Sequence, residues 1–294
     1  MEQSSKPVFF YGNDLNQSTA IWEMVARQSG GWETLAEAPT GLDLIGPTSP
    51  LTLDVQACQR LIFNARRRLP TVCFSAVIPG VSGPVTLAGA LVQASAESLA
   101  GIVLHQAAQS GAPVISGSNV LTMDLRSGNI AYAAPEYNLV CEAAAEYFAS
   151  LGIPTWVGGG HSDAHEVDGQ AAAEAGIGLA WTALSSSRLI HNLGYLSSGK
   201  TGSLEMLVLG DEIAKAVIRL SRGIQFDESS LAVEVIRQQA EKGDFLTSSH
   251  TLRHCRQEFC SPGLFVRQGF ETWQEGGSSE LTDRIKDKIA RILN

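Results

Sequence analysis

The chain has 294 residues, of which 44% are hydrophobic and 17% are charged. This length and composition are typical of a globular protein with one or two domains, and they exclude disordered and fibrous classes. The formal charge is −9, from 21 basic and 30 acidic residues, so we expect no nucleic-acid partner. We also expect a cytoplasmic protein with no membrane association, because polar residues interrupt the most apolar stretch, 85–104, and the N-terminus lacks a signal-peptide pattern.

Three segments share a pattern that predicts buried parallel strands: a proline, three or four apolar or β-branched residues, then Gly or Ser. They are 69–76, 111–118 and 152–159, and their prolines, at 70, 113 and 154, recur at spacings of 43 and 41 residues. A proline at the first position of a strand removes no hydrogen bond from the sheet. Because a strand, a helix and two loops fill about that spacing, the pattern indicates repeated βα units.

Other elements are predicted around these strands. Apolar periodicity and helix-end residues predict helices at about 53–68, 85–109, 136–150, 203–222, 229–242 and 281–293. Short apolar runs predict further strands at 8–11, 178–181 and 189–192. The glycine motifs of nucleotide-binding open sheets are missing from the sequence.

We therefore predict an α/β fold of the (β/α) TIM-barrel type, in preference to a doubly wound sheet. About six strands are recognisable, whereas a complete barrel has eight, so the barrel is expected to be incomplete. We assign residues 1–243 to the barrel domain. Residues 244–294 show no βα periodicity and are predicted to form a C-terminal helical appendage packed on the barrel.

The loop at 158–170 (GGGHSDAHEVDGQ) follows one of the predicted strands and carries His161, Asp163, His165 and Asp168. Functional groups of a parallel barrel gather at such positions, and glycines allow the backbone to approach a ligand closely. Three interpretations are open: a zinc or iron site, a binding site without metal, or a polar loop in which Asp163 or Asp168 caps the next helix.

Two other groups of residues have an ordinary structural interpretation. The spacing of His250, His254, Cys255 and Cys260 is loosely similar to that of zinc ligands, but paired C-x-x-C elements are missing. We interpret both histidines as polar residues on one face of a helical turn. Glu97 lies in an apolar helix, where it is either buried and paired or, as is commoner, placed on a solvated stripe.

Several strings resemble the trimethylamine methyltransferase family, in their order as well as in their residues. They are 84–106 (PVTLAGALVQASAESLAGIVLHQ), 111–117 (GAPVISG), 159–170 (GGHSDAHEVDGQ), 250–259 (HTLRHCRQEF) and 272–277 (TWQEGG). The similarity begins at about Gly46 and continues almost to the end of the chain. Family members are longer and carry an additional N-terminal portion, so this chain resembles a truncated member.

The resemblance implies a TIM barrel that passes a methyl group from a methylated amine to the cobalt of a partner corrinoid protein. Trimethylamine enzymes of methanogens contain pyrrolysine, whereas this sequence has only standard residues. The resemblance therefore points to the branch without pyrrolysine, which uses quaternary amines such as glycine betaine. It implies a small methylated amine as substrate, a corrinoid (cobalamin) supplied by the partner, and no metal ion or cofactor bound permanently by this chain.

The expected substrate suggests which side chains would form the site. A quaternary ammonium group has no N–H to donate, so aromatic faces and carboxylates should hold it, and its neutral leaving amine requires no general acid. Under the resemblance, the candidate catalytic residues are Asp163, His165 and Glu205. The candidate substrate-binding residues are three aromatic side chains, Trp156, Trp181 and Tyr195, and three donors for a carboxylate, His161, Arg188 and His191.

Two rival functions stay open. One is a metal-dependent barrel hydrolase that uses His161, Asp163 and His165. The other is a degenerate, truncated barrel that binds an amine or a corrinoid protein without turnover. An incomplete barrel exposes strand edges that can pair with another copy, so a homo-oligomer is expected in either case.

Overall fold

The structure is a computed structural model that describes residues 7–185, 187, 189–240 and 243–294. Its six parallel strands are β1 (Val8–Phe10), β2 (Gly41–Ile45), β3 (Thr71–Ser75), β4 (Val114–Ser118), β5 (Thr155–Gly158) and β6 (Leu189–His191). A small antiparallel hairpin follows, formed by β7 (Tyr195–Leu196) and β8 (Thr201–Gly202). Arg188, one of the predicted site residues, lies outside the described residues.

Helices connect the strands and form the C-terminal part. In the first half they are α1 (Leu15–Gln28), α2 (Trp32–Glu37), α3 (Val55–Arg66), α4 (Leu87–Ala108), α5 (Pro135–Ser150) and α6 (Gly169–Ala183). In the second half they are α7 (Leu204–Ser221), α8 (Glu228–Leu231), α9 (Val233–Ala240), α10 (Ser249–Glu258), α11 (Phe270–Glu275) and α12 (Leu281–Leu293).

The six-stranded sheet curls into half of a barrel with helices on its outer side. Each strand pairs in parallel with the next one along the chain, so the spatial order is β1 to β6. The inner face carries apolar side chains that pack together, among them Leu42, Val72, Phe74 and Trp156. The predicted α/β fold with an incomplete TIM-type barrel is confirmed.

The predicted strands differ from the observed ones at two places. The predicted strand at 178–181 is wrong, because these residues continue α6, which begins at the N-cap Asp168. A short apolar run does not distinguish a buried strand from a buried helix. The prediction also missed β2, in which Asp43 interrupts the apolar run. Asp168 accepts a hydrogen bond from the Ala171 N–H over 2.9 Å, which confirms the capping interpretation for this residue.

A buried ion pair explains how β2 tolerates a carboxylate. The Arg60 guanidinium of α3 lies 2.5 Å from the carboxylate of Asp43, and both side chains are almost fully buried. Arg60 also donates to the Ser18 hydroxyl over 2.8 Å, and Asn64 donates to the second carboxylate oxygen over 3.1 Å. Buried charges are tolerated when they are paired and hydrogen-bonded in this way, so β2 is joined to α1 and α3.

Glu97 is a second buried carboxylate, on the side of α4 that faces the sheet. It is 3% exposed, so the solvated-stripe interpretation is wrong. Its oxygens accept hydrogen bonds from the Ser49 hydroxyl (2.6 Å), the Leu51 N–H (2.8 Å) and the Ser75 hydroxyl. Gln93 donates to it as well, over 2.9 Å. The carboxylate therefore holds the loop after β2 against α4 and the end of β3.

The helix α4 is long and apolar enough to cross a membrane by length and composition alone, a test that core helices of soluble proteins also pass. In this fold α4 packs against β3, β4, α3 and α5. Its buried residues include Glu97, Ser98 and His105. These contacts are those of a helix in the outer layer of the half-barrel.

The C-terminal residues return to the barrel through α7 and α12. Leu264 and Ile285 are buried in the same hydrophobic cluster as Met206 and Leu209 of α7. Glu212 accepts hydrogen bonds from the N–H groups of residues 263 and 264, over 2.5 and 2.9 Å. The division into a barrel domain at 1–243 and an appendage at 244–294 stays a prediction.

Candidate active site

The carboxyl ends of β4, β5 and β6 meet at Tyr132. The Tyr132 hydroxyl donates to the Asn119 side-chain oxygen over 3.1 Å and accepts from the Asn192 side-chain nitrogen over 2.7 Å. The Tyr137 hydroxyl donates to the same Asn119 oxygen over 2.9 Å. Asn119 follows β4 and Asn192 follows β6, so the hydrogen bonds of the two tyrosines connect the loop after β4 with the loop after β6.

His161, in the loop after β5, is fixed by the same tyrosine. Its Nε2 lies 2.9 Å from the carbonyl oxygen of Tyr132. Because a carbonyl oxygen can only accept, Nε2 carries the proton and Nδ1 is left as an acceptor. Burial lowers the pKa of His161 below its ordinary value, so the ring is uncharged at neutral pH. Its Nδ1 has no hydrogen-bond partner among the described residues.

Trp156 of β5 and His191 of β6 form a stacked pair. Their ring centroids are 3.8 Å apart and the ring planes differ by 4°. Burial lowers the pKa of His191 to about 3, and the nearby His161 adds to this effect. The indole Nε1 of Trp156 and the Nε2 of His191 are shielded and have no hydrogen-bond partner within the described part of the chain.

Unpartnered polar atoms are unusual in a folded protein, where buried donors and acceptors are almost always satisfied. Here Trp156, His161 and His191 each contribute one such atom at the carboxyl ends of β5 and β6. Each atom carries the free-energy penalty of burial without a hydrogen bond. A bound polar group or an ordered water at this edge would remove that penalty, so the edge is a candidate binding site.

A cavity of about 450 Å³ opens beside this pair, between the first and last strands of the sheet. Apolar and aromatic side chains from both sides line it, together with His191 and Asn192. The aromatic residues are Phe9, Phe10, Tyr11 and Tyr195. Tyr11 is 61% exposed and Tyr195 41% exposed, so the cavity is accessible from outside. Its size and lining are typical of a small-molecule site.

Asp163 holds the loop after β5 in place. Its two carboxylate oxygens accept from the backbone N–H groups of Tyr132 (2.9 Å) and Ala133 (3.0 Å). The Asp163 N–H in turn donates to the Glu174 carboxylate over 2.9 Å, and the Ser162 hydroxyl does so over 2.6 Å. Both oxygens of Asp163 are therefore already engaged by the chain itself.

The structure separates two other predicted residues from this cavity. His165 and Glu205 line a second cavity of about 660 Å³, together with Lys286 of α12. The His165 Nδ1 lies 2.9 Å from the Ser197 hydroxyl, in the loop between β7 and β8. The predicted site residues therefore fall into two groups, with Trp156, His161, His191 and Tyr195 in the first.

Trp181 belongs to neither group. It lies in the last turn of α6 and is 39% exposed. Trp181 lines neither of the two cavities. The stacking partner found for His191 is Trp156 alone among the aromatic residues described.

The geometry also bears on the metal interpretation of the loop at 158–170. Among the described residues, no three His, Cys, Asp or Glu side chains are grouped so that they could hold a metal ion. His161, Asp163 and His165 bind different partners, as described above. The arrangement therefore gives no support to the metal-dependent hydrolase.

His250 and His254 lie on one face of α10 with ring centroids 4.4 Å apart, as their interpretation as ordinary helix residues requires.

The sequence analysis missed three residues that organise the site: Tyr132, Tyr137 and Asn192. A signal was present in the string AYAAPEYN, where Pro135 begins α5 and places one tyrosine just before the helix and one within its first turn. The spacing gives no indication that both hydroxyls bind Asn119. That contact exists only because parallel strands bring their carboxyl ends to one edge.

The fold defines the class of the protein: a TIM-type (β/α) protein, here with a candidate binding site at the carboxyl edge of the strands. The model of the trimethylamine methyltransferase (MTTB) family matches residues 1–294, so the chain belongs to this family. The match confirms the family predicted from the motifs and extends further toward the N-terminus than the predicted start at Gly46.

Curated relatives agree with the family match. The chain is 36% identical over 273 residues to the trimethylamine methyltransferase MttB of Methanosarcina thermophila, covering 92% of this chain and 56% of the relative. It is 34% identical over 252 residues to the glycine betaine methyltransferase of Desulfitobacterium hafniense strain Y51, covering 85% and 53%. An MttB of D. hafniense strain DCB-2 is 31% identical over 290 residues, covering 99% and 58%. The chain thus spans about half the length of these relatives.

Proposed function

We propose that the chain acts in the transfer of a methyl group from a quaternary or tertiary methylated amine to the Co(I) of a corrinoid held by a partner protein. The observation that carries the proposal is the cavity between β1 and β6, with its aromatic lining and its uncharged imidazole. The names of the relatives, trimethylamine and glycine betaine methyltransferases, support the same reaction class.

The cavity suits a methylammonium cation in two respects. Aromatic faces attract such a cation through the ring quadrupole, and Phe9, Tyr11 and Tyr195 supply rings from the two edges of the sheet. The depressed pKa of His191 keeps its ring neutral, so no positive charge opposes the substrate. An uncharged, partly apolar site also removes water from the cation.

The transfer itself needs little from the protein side chains. The carbon–nitrogen bond breaks with its electron pair left on nitrogen, and the electron pair of Co(I) forms the new bond to the methyl carbon. A quaternary substrate leaves as a neutral tertiary amine, so no proton has to be supplied. In this scheme the chain holds and orients the amine, and the exposed rims at Tyr11 and Tyr195 leave the site accessible to a corrinoid protein.

The unpartnered donors suggest where a substrate carboxylate would bind. The indole N–H of Trp156 can only donate, and it has no acceptor among the described residues. A betaine carboxylate, directly or through a water molecule, would satisfy it. For the loop after β5, we assign a positioning role to Asp163, because the backbone of residues 132 and 133 already occupies its oxygens.

The test is optical. The purified protein is mixed anaerobically with Co(I) cobalamin, and glycine betaine, carnitine, proline betaine, choline and trimethylamine are added in turn. We expect the Co(I) spectrum to disappear and methyl-Co(III) to grow with one of these amines. Loss of the response in His191→Asn but not in Trp181→Phe would place the reaction in the β1–β6 cavity.

The rival candidate is binding without turnover. It predicts a rise in the melting temperature with a betaine but no change in the cobalt spectrum. Silence in both measurements, from protein with a cooperative thermal transition, would contradict both candidates.

A further inference from the structure

The cavity between β1 and β6 offers no carboxylate to a methylammonium cation. The described residues that line it include no Asp or Glu. Of the acidic residues that the sequence analysis placed in the site, Asp163 has both oxygens engaged by backbone N–H groups, and Glu205 lines the other cavity. A cation in the first cavity therefore needs an oxygen from another source. Among the described lining residues, Asn192 is the one with a side-chain amide.

The hydrogen bonds of Tyr132 fix the orientation of this amide. The Tyr132 hydroxyl donates its single proton to the Asn119 oxygen over 3.1 Å. Because the proton is used there, the hydroxyl can only accept from Asn192, whose side-chain nitrogen lies 2.7 Å away. The nitrogen end of the Asn192 amide is thus directed at Tyr132, which does not line the cavity. The oxygen end is the one available to the cavity.

The effect of Asn192 on its neighbour His191 agrees with this orientation. Burial lowers the pKa of His191 to about 3, whereas the Asn192 side chain acts in the opposite direction. An acceptor oxygen beside an imidazole favours the protonated ring, which an N–H group does not do. A carbonyl oxygen has two lone pairs, so the contact with His191 leaves one of them for a ligand.

The backbone holds this amide at the end of β6. Asn192 has a φ of 74°, in the left-handed region that Asn adopts more readily than most residues with a side chain. Its carbonyl oxygen accepts from the Tyr195 N–H over 3.3 Å, and the His191 carbonyl oxygen accepts from the Gly159 N–H over 2.9 Å. The position of the Asn192 amide is therefore set by the turn before any ligand binds.

We propose that the side-chain oxygen of Asn192 contacts the methylammonium group of the substrate and makes the cavity selective for a cation over an uncharged group of the same shape. This inference rests on the proposed function, since it assigns the cavity to the methylated amine. The oxygen is the negative end of the amide dipole, and it attracts the cation without the desolvation penalty of a buried charge. Tyr11 and Tyr195 line the same cavity, and their rings add a further attraction.

Ligands that differ only in charge test the proposal. Calorimetry gives the Kd of glycine betaine and of choline, and the Kd of the carbon analogue of each, in which a quaternary carbon replaces the ammonium nitrogen. We define the charge selectivity as the Kd of the analogue divided by the Kd of the amine. The wild type should bind the amine more tightly than the analogue, so its charge selectivity should exceed one.

Two variants of Asn192 should move the charge selectivity in opposite directions. Asn192→Asp places a negative charge at the same position and should raise it about 10-fold, and the Tyr132 hydroxyl can then donate to the new carboxylate. Asn192→Gly permits the same left-handed backbone, removes the oxygen and should lower the charge selectivity. Tyr132→Phe should lower it as well, because the amide is no longer oriented. A purely structural role of Tyr132 would weaken the amine and its analogue equally.

The matched control is Asn13→Asp, which makes the same substitution at an exposed position that does not line the cavity. It should leave the charge selectivity unchanged. An equal rise in Asn13→Asp and Asn192→Asp would overturn the proposal, because the effect would then be one of added charge. Selective binding by the wild type that is unaltered in both Asn192 variants would overturn the proposal and leave the proposed function standing. If the wild type binds neither amine, the assignment of the cavity to the methylated amine fails as well.

Discussion

Two regions of the half-barrel differ in whether their buried polar groups have hydrogen-bond partners. Behind the sheet, the Asp43–Arg60 pair and Glu97 are surrounded by hydrogen-bond partners. At the carboxyl ends of β5 and β6, Trp156 and His191 have polar atoms without a partner among the described residues. In a structural network every buried polar atom needs a hydrogen-bond partner, and these hydrogen bonds stabilise the fold. Unsatisfied atoms reduce stability unless a bound group pairs with them, so the second region is the one that we propose to bind the ligand.

The largest effect on stability is expected from the ion pair. Arg60→Met leaves the carboxylate of Asp43 buried without its cation and should lower the free energy of unfolding by about 3–5 kcal/mol. Urea titration of the variant measures this change. The control is Arg126→Met, because Arg126 is 96% exposed and its ion pair with Asp124 is 3.7 Å long. A similar loss in both variants would remove the distinction between the buried and exposed pairs.

A smaller loss is expected at Glu97. Burial raises the pKa of this carboxyl, but its hydrogen bonds, the first from Leu51 N–H, lower it more, so the pKa is below its ordinary value. Glu97→Gln places an amide group where donors converge and should cost about 1–3 kcal/mol. Glu166→Gln, at an exposed position, is the control. An unchanged urea midpoint for Glu97→Gln would show that the loop at 49–51 is held by other contacts.

Part of the pH dependence of stability should come from His191 in the second region. Below its unfolded pKa of 6.5, His191 takes up a proton in the unfolded chain, but the folded chain takes it up only near pH 3. Unfolding therefore binds protons, and stability falls as the pH decreases from 6.5, by about 1 kcal/mol down to pH 5.5 for this residue. His161 and His105 have depressed pKa values as well and act in the same direction.

Thermal melts at a series of pH values test this prediction. The slope below pH 6.5 should decrease in His191→Asn, since the variant has no titrating group at that position. An equal slope in wild type and variant would mean that other groups account for the acid sensitivity.

The variant Tyr132→Phe tests whether the Tyr132 hydroxyl positions the loops of the site rather than only stabilising the fold. The variant loses the hydroxyl contacts with Asn119 and Asn192 and should cost only about 0.5–1.5 kcal/mol. It frees the loops after β4 and β6, so methyl transfer should fall by a larger factor than stability alone explains. The matched control is Tyr147→Phe, because Tyr147 is 39% exposed on α5. Full methyl transfer in Tyr132→Phe would contradict the positioning role.

The last prediction concerns the unsatisfied atom of Trp156. Replacing Trp156 by Phe removes an N–H that has no partner among the described residues, so much of the lost packing is offset and the net loss should stay below about 1–2 kcal/mol. The Kd for glycine betaine, measured by calorimetry, should nevertheless rise. An unchanged Kd would show that this N–H does not face the ligand.

Local sequence features determined a large part of the fold. The proline-led apolar runs at 69–76, 111–118 and 152–159 correspond to β3, β4 and β5, because each run is buried on both faces of the sheet. The sequence predicts the start of α7 at Ser203, whose side chain accepts from an N–H in the first turn of that helix. For α6 the sequence offers two candidate caps, of which Asp168 is the one that begins the helix. The family followed from strings whose order is shared with its members.

Only the tertiary structure decided where the site lies. Trp156, His161 and His191 are up to 35 positions apart, and the parallel register of β5 and β6 places Gly158 opposite His191. The role of Tyr132 depends on contacts with residues 13 and 60 positions away. The hydrophobic pattern of the sequence indicates which residues are buried locally, but it does not indicate which loops lie together at the carboxyl edge of the sheet. That depends on the curl of the sheet, which the whole chain produces by packing its helices on the outer face.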